Sequence, residues 1–269
     1  MIPTNEVKSY CAGKFFKQLS KLDLTNADIL FSDDTHTAGY AHTGEKIDDC
    51  RRDEHLKFIE SAGYEVIKCE EVIKAATCNQ KLRVRDKLCM NRENLRREFI
   101  KRTQYTHALW LDSDVLPPVD VVDRLLSHDV NVVGGLYWQV SARVQNGKQV
   151  PHYEPVCYKF QDKETWEMHN KYPNSRFDNF GESITNEELL PSRLIPVDDD
   201  DIHITALGTG CLMMSRESME ADWRFRYEVS TPATEDMFLC LDLKLYGYTI
   251  HLDTYVKCRH YPKPWVGEK

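Results

Sequence analysis

The sequence predicts an α/β fold in which a mostly parallel central sheet is flanked by helices. Three observations carry this. Up to about residue 138, short apolar runs alternate with longer stretches whose apolar residues recur at helical spacing. Such a strand–helix–strand rhythm is what crossover units around a parallel sheet produce. Two of the runs also end in acids, Phe31 leading into Ser32-Asp33-Asp34 and Leu111 into Asp112-Ser113-Asp114. Open α/β sheets gather ligands at the carboxyl ends of their strands.

The elements follow in order. Residues 1 to 5 read as the tail of a strand closing in the turn Pro3-Thr4-Asn5. Residues 8 to 22 place Tyr10, Phe15, Leu19 and Leu22 at helical intervals, and Ala27 to Phe31 is a compact strand. Residues 45 to 62 fit an amphipathic helix through Ile47, Leu56 and Ile59, with Gly63 suited to its C-cap. Tyr64 to Cys69 is a third strand. Lys81 to Arg102 is a basic helix with Leu88, Leu95 and Phe99 on one face; most of its Arg and Lys residues form a solvated face. The central strand 107 to 111 runs into Asp112 and Asp114 and breaks at Pro117-Pro118. On an extended strand these two carboxylates leave the same side, about 7 Å apart. A helix over 119 to 126 and a buried strand over 131 to 138 complete this half.

Residues 139 to 200 are polar and rich in proline, with a hairpin near 150 to 168 and then an irregular excursion. Asp198 to Asp201 read as a solvated acidic loop. Strands at 202 to 207 and 211 to 214 flank Gly208-Thr209-Gly210, which marks either a close ligand approach or a bulge. Thr234 opens an apolar helix through Glu235 and Asp236 to Tyr246, and Gly247 ends it. Strands near 248 to 252 and 255 to 258 lead to Arg259-His260. Tyr137, Trp138 and Trp166 suit core packing better than stacking on a sugar. There is no internal repeat or Gly/Ser linker, so residues 1 to 269 form one domain.

Bulk properties bound the partners. A formal net charge of -8 argues against nucleic acid or an anionic membrane as an obligate partner. Nine cysteines without a Cys-x-x-Cys pair point to reduced packing residues rather than zinc or disulfides. The amino terminus lacks the apolar core of a signal peptide and no transmembrane run follows. The expected location is cytoplasmic, with peripheral attachment to a membrane left open. Two acids at the end of a buried strand suit a hard divalent cation, and Mg²⁺ typically takes one or two carboxylates and completes its shell with water and substrate phosphate. Asp-x-Asp after a strand also suits a plain turn.

With these residues assembled, the chain resembles the GT-A fold glycosyltransferases, particularly family 2-like enzymes. The resemblance rests on Pro3-Thr4-Asn5, Asp33-Asp34, Arg92, Leu111-Asp112-Ser113-Asp114, Gly208-Thr209-Gly210, Glu235-Asp236 and His260, in that order. Trp110 to His128 also resembles the Anp1-type mannosyltransferases. The first strand is short for such a fold, which concerns the base-binding end. The resemblance implies a nucleotide-sugar-binding half over 1 to 114 and an acceptor half over 115 to 269, with the irregular insertion at about 139 to 200.

It further implies that Pro3, Thr4, Asn5 and Asp33 line the base and ribose, and that Arg92 approaches the diphosphate. Asp112 and Asp114 are then the metal pair for Mn²⁺ or Mg²⁺, with Asp114 the direct ligand, Asp112 and Ser113 beside the nucleotide, and His260 completing the set. Asp236 is the general base and Glu235 contacts the acceptor. The donor is a UDP- or GDP-linked sugar and the acceptor a glycan, lipid or protein. Glu235-Asp236 favours inversion; the Anp1 likeness leaves retention open. Acids in a helix's first turn are also favoured by its dipole, by about 0.3–1 kcal/mol each, whatever their chemistry. A sugar nucleotidyltransferase and a non-catalytic nucleotide- or carbohydrate-binding module are the rivals; the first lacks a Gly-rich basic loop after the first strand.

Overall fold

The computed structural model describes residues 1–4, 9–33, 56–69, 84–145, 148–159, 182–190, 192–196, 202–228 and 233–261. The chain opens with β1 (Ile2–Thr4), α1 (Ser9–Leu19), β2 (Leu30–Asp33) and β3 (Glu65–Lys68). These strands pair in parallel in the order β1-β2-β3. Residues 56–61 are helical, and Gly63 follows with φ of 80°, the left-handed conformation a C-capping glycine accepts without strain. Next come α2 (Val84–Lys101), β4 (His107–Leu111), β5 (Val115–Leu116), α3 (Val121–Leu126) and β6 (Val132–Leu136). The Met1 nitrogen donates to Leu109 O at 2.6 Å and the Leu111 N–H to Met1 O at 3.1 Å. Bonds from one residue to two positions two apart are the parallel pattern, so β1 lies alongside β4.

The remainder comprises β7 (Trp138–Gln145), β8 (Lys148–Pro155), β9 (Cys157–Lys159), β10 (Glu182–Ser183), β11 (Leu194–Ile195), β12 (Ile204–Leu207) and β13 (Cys211–Ser215). After them come α4 (Arg216–Glu220), α5 (Glu235–Leu245), β14 (His251–Lys257) and β15 (Arg259–His260). The main sheet has the order β11-β14-β6-β13-β4. β14 and β6 are parallel, but β13 runs antiparallel to both β4 and β6, and β11 antiparallel to β14.

The class is α/β, as expected, but the main sheet is mixed rather than mostly parallel. The reason is local. The Asp112 N–H donates to Gly210 O at 3.1 Å, so β13 starts where β4 ends and must run back along it. An antiparallel neighbour of this kind needs no crossover helix. Two other expectations shift. The hairpin is β7–β8, paired from Trp138↔Pro155 to Gln145↔Lys148, rather than 150 to 168. The two late strands are one continuous β14.

The core lies on both faces of the sheet, because successive residues of a strand point to opposite sides. Trp110, Leu212 and Met214 pack with Leu95 and Phe99 of α2 and with Leu239 and Leu243 of α5. Leu111, Met213 and Val133 pack on the other face with Phe15 and Leu19 of α1 and Val121 and Leu125 of α3. Among the described residues, seven cysteines, including Cys211 and Cys258, are buried and in no disulfide, as apolar packing residues should be.

Candidate active site

The site is built on the turn that ends β4. The Val115 N–H donates to Asp112 O at 2.9 Å, so Asp112, Ser113 and Asp114 form a turn rather than a continuation of the extended strand. The two carboxylates consequently meet different partners. Asp112 Oδ1 accepts from Arg92 Nη2 at 2.9 Å, and Arg92 Nη1 donates to Glu235 Oε1 at 2.5 Å. Arg92, buried on α2, thus bridges the end of β4 and the start of α5. It stands on these two acids, and its Nε has no hydrogen-bond partner.

Asp114 faces the other way. Its Oδ2 receives the Tyr10 hydroxyl at 3.2 Å and lies 3.5 Å from His260 Nε2, while its backbone O accepts the Tyr261 N–H at 2.8 Å. His260 Nδ1 is 2.8 Å from Trp138 O. A carbonyl can only accept, so Nδ1 carries a proton and Nε2 is the nitrogen turned toward Asp114. A metal-ligating histidine is typically held this way, through its other nitrogen. Among the described residues, no group of three His, Cys, Asp or Glu is arranged to hold a metal by itself. Asp114 and His260 supply two ligands, which fits a cation that takes its remaining positions from water and phosphate.

Glu235 and Asp236 open α5, with Thr234 at the N-cap. The Thr234 hydroxyl does not cap the helix; it bonds Asp236 Oδ1, which also accepts the Met237 N–H at 3.0 Å. Burial pushes both acids above the usual carboxylate range, with Arg92 pulling back on each and the Thr234 hydroxyl on Asp236. Burial thus works against the favourable end of the helix dipole at which both acids sit.

The base-side residues lie at a neighbouring edge. Pro3 and Thr4 end β1, and Thr4 is in register with Asp33, fully buried at the end of β2. Asn5, Asp34, Trp166 and Asp198 to Asp201 fall outside the described residues. Ser113 is buried with a hydroxyl that has no hydrogen-bond partner. An apolar cavity of about 220 Å³ lies at the amino ends of β2 and β4, lined by Leu30, Phe99 and Ala108 and by none of these acids.

Gly208 and Gly210 have a packing reason. A Cβ on Gly208 would collide with the Tyr137 hydroxyl, and one on Gly210 would stand 2.8 Å from Tyr137 Cζ. The glycines make room for a tyrosine that the sequence reading assigned to the core. Tyr10 escaped notice too, because it fitted the apolar spacing of α1; a hydroxyl in an otherwise apolar stripe was the available signal.

No protein-family model matches the chain, and no curated protein does either. Among solved structures the chain is similar to A197 from STIV, at 15% identity and a TM-score of 0.39, over 77% of this chain and 78% of that one. That likeness is too distant to argue from. No helix among the described residues is long and apolar enough to cross a membrane.

Proposed function

We propose that the protein is a metal-dependent glycosyltransferase of the GT-A type, moving a sugar from a nucleoside diphosphate to an acceptor hydroxyl with inversion. One observation carries the reading: Asp112, Glu235 and Arg92 form a buried ion-paired bridge, with Asp114 two residues and Asp236 one residue from its acids. Among the described residues, Asp112, Asp114, Glu235 and Asp236 lie at or beside this bridge with Arg92 as its guanidinium, so the site favours a cation. The order of motifs along the chain supports the same reading.

Asp114 and His260 would hold a divalent cation, Mn²⁺ or Mg²⁺, whose positive charge would stabilise the departing diphosphate. The residues of the chain do the rest. Asp236 takes the proton of the acceptor hydroxyl as that oxygen bonds to the anomeric carbon and the bond to the phosphate oxygen breaks. A carboxylate pushed upward by burial is a stronger base than an exposed one, and general-base catalysis is worth about 10²–10⁴-fold. Thr234 and the Met237 N–H hold Asp236 through Oδ1, fixing its direction. Arg92 holds Asp112 and Glu235 in place and pulls the Glu235 carboxyl back down against its burial.

The test is incubation with Mn²⁺ and a panel of UDP- and GDP-sugars. Release of nucleoside diphosphate is expected, and release of pyrophosphate from a sugar phosphate and a nucleoside triphosphate would instead identify a nucleotidyltransferase. Binding without turnover would leave a binding module. Asp236→Asn should fold normally and lose about 10²–10⁴-fold in transfer. A variant with normal transfer and lowered stability would reduce Asp236 to a helix-opening residue.

A further inference from the structure

Tyr137 directly follows β6, with its side chain turned into the site. Its hydroxyl oxygen accepts the Gly210 N–H at 3.2 Å, and the carbonyl of the same glycine accepts the Asp112 N–H at 3.1 Å. The hydroxyl is therefore one peptide away from the β4 acid turn. Its ring meets His260 edge-on, with centroids 5.8 Å apart and planes at 76°.

A phenol oxygen can accept one hydrogen bond and donate another. Tyr137 is 6% exposed, and the Gly210 N–H is its hydroxyl's one hydrogen-bond partner among the described residues. The O–H proton is thus buried with no acceptor among the described residues. A Cβ at Gly208 would collide with the hydroxyl oxygen, so the absent side chains at 208 and 210 are what let the phenol sit over this turn. The hydroxyl is bonded to neither Asp112 nor Asp236, whose partners are Arg92, Thr234 and Met237.

The surroundings decide what it meets. Asp112, Glu235 and Asp236 are all acids, and Arg92 already stands on Asp112 and Glu235, so a further anion is disfavoured there. An uncharged oxygen suits the position. We propose that Tyr137 donates a hydrogen bond to an oxygen of the transferred sugar, between its diphosphate and the acceptor. This rests on the glycosyltransferase reading and adds to it a residue that binds the sugar apart from the nucleotide.

Calorimetry in Mn²⁺ on the full chain separates the two. UDP and GDP, and then UDP-glucose and GDP-mannose, are titrated into wild type and Tyr137→Phe, with thermal unfolding as a check on the fold. Phenylalanine keeps the ring on His260 and removes only the hydroxyl. Affinity for the nucleoside diphosphate should stay within about twofold, while affinity for its sugar-linked form falls about tenfold, the worth of one hydrogen bond. If Tyr137→Phe does not fold, Gly208→Ala displaces the hydroxyl instead and is read the same way. Unchanged sugar-nucleotide affinity overturns the proposal. Equal loss for both ligands also overturns it, making Tyr137 a latch for the Gly208–Gly210 turn. Wild type that binds neither ligand with Mn²⁺ brings down the glycosyltransferase reading itself, a result distinct from either.

Discussion

Arg92 is the residue on which the site's geometry turns. With its guanidinium gone, Asp112 and Glu235 would be left without their shared cation in a buried setting. Breaking a buried pair by removing one partner typically costs about 3–5 kcal/mol. Arg92→Met should therefore lose about that much in urea denaturation, and Arg92→Lys less, because an ammonium keeps the charge without the two-pronged reach. A Met variant as stable as wild type would show that the bridge contributes nothing to folding. Asp236 obeys the opposite logic. Its carboxyl titrates above the ordinary 3.8 because it is buried, so between that value and its folded-state value the folded chain binds the extra proton. Stability attached to this group is present at low pH and lost as pH rises through the folded value. Transfer should rise over the same interval as the base loses its proton. Asp236→Asn should flatten both profiles, and a transfer profile that keeps its rise in the variant assigns the base elsewhere.

Between elements, α3 is tied to β14 by charge. Asp253, fully buried on β14, receives Arg124 Nε at 2.8 Å, lies 2.7 Å from His128 Nε2, and accepts the Tyr255 N–H at 2.8 Å. Burial alone would raise its carboxyl, but the bonds from Arg124 and His128 hold it below the usual range. That stability is present above the ordinary carboxylate value and lost as pH falls through the folded one. Asp253→Asn should cost about 1.5–3 kcal/mol near pH 7, with the gap to wild type closing under acid. Thermal melts from pH 3 to 7 measure it, and a gap independent of pH would rule out the charge. These ties were invisible in the sequence, where Arg124 and Asp253 are more than a hundred residues apart. Elements with strong local patterns were legible: β4 is an unbroken apolar run, and α2 keeps Leu95 and Phe99 on one face. The hairpin was misplaced, although Asn146-Gly147 between alternating residues is a strong turn signal. Periodicity specifies an element but not its neighbour, so the antiparallel course of β13 could not be read.

At the scale of the molecule, the acids of the site were legible as residues and their partnerships were not. Asp112 and Asp114 look equivalent in the sequence; only the turn at the end of β4 gives one to Arg92 and the other to Tyr10 and His260. That difference yields a test on the whole chain, which carries a net charge of -8. A ligand bound only by the folded state stabilises it by about 2.7 kcal/mol at a hundred times its dissociation constant. For a chain of this size that is a rise in melting temperature of about 5–10 °C. Mn²⁺ with UDP or GDP should produce such a rise, and Mn²⁺ alone a smaller one, because two protein ligands leave most of the shell to water and phosphate. Asp114→Asn should abolish the rise and His260→Ala reduce it, while both keep their melting temperature without metal within a few degrees of wild type. If Asp114→Asn responds to Mn²⁺ as the parent does, the cation binds elsewhere, and the acid turn at the end of β4 is a turn and nothing more.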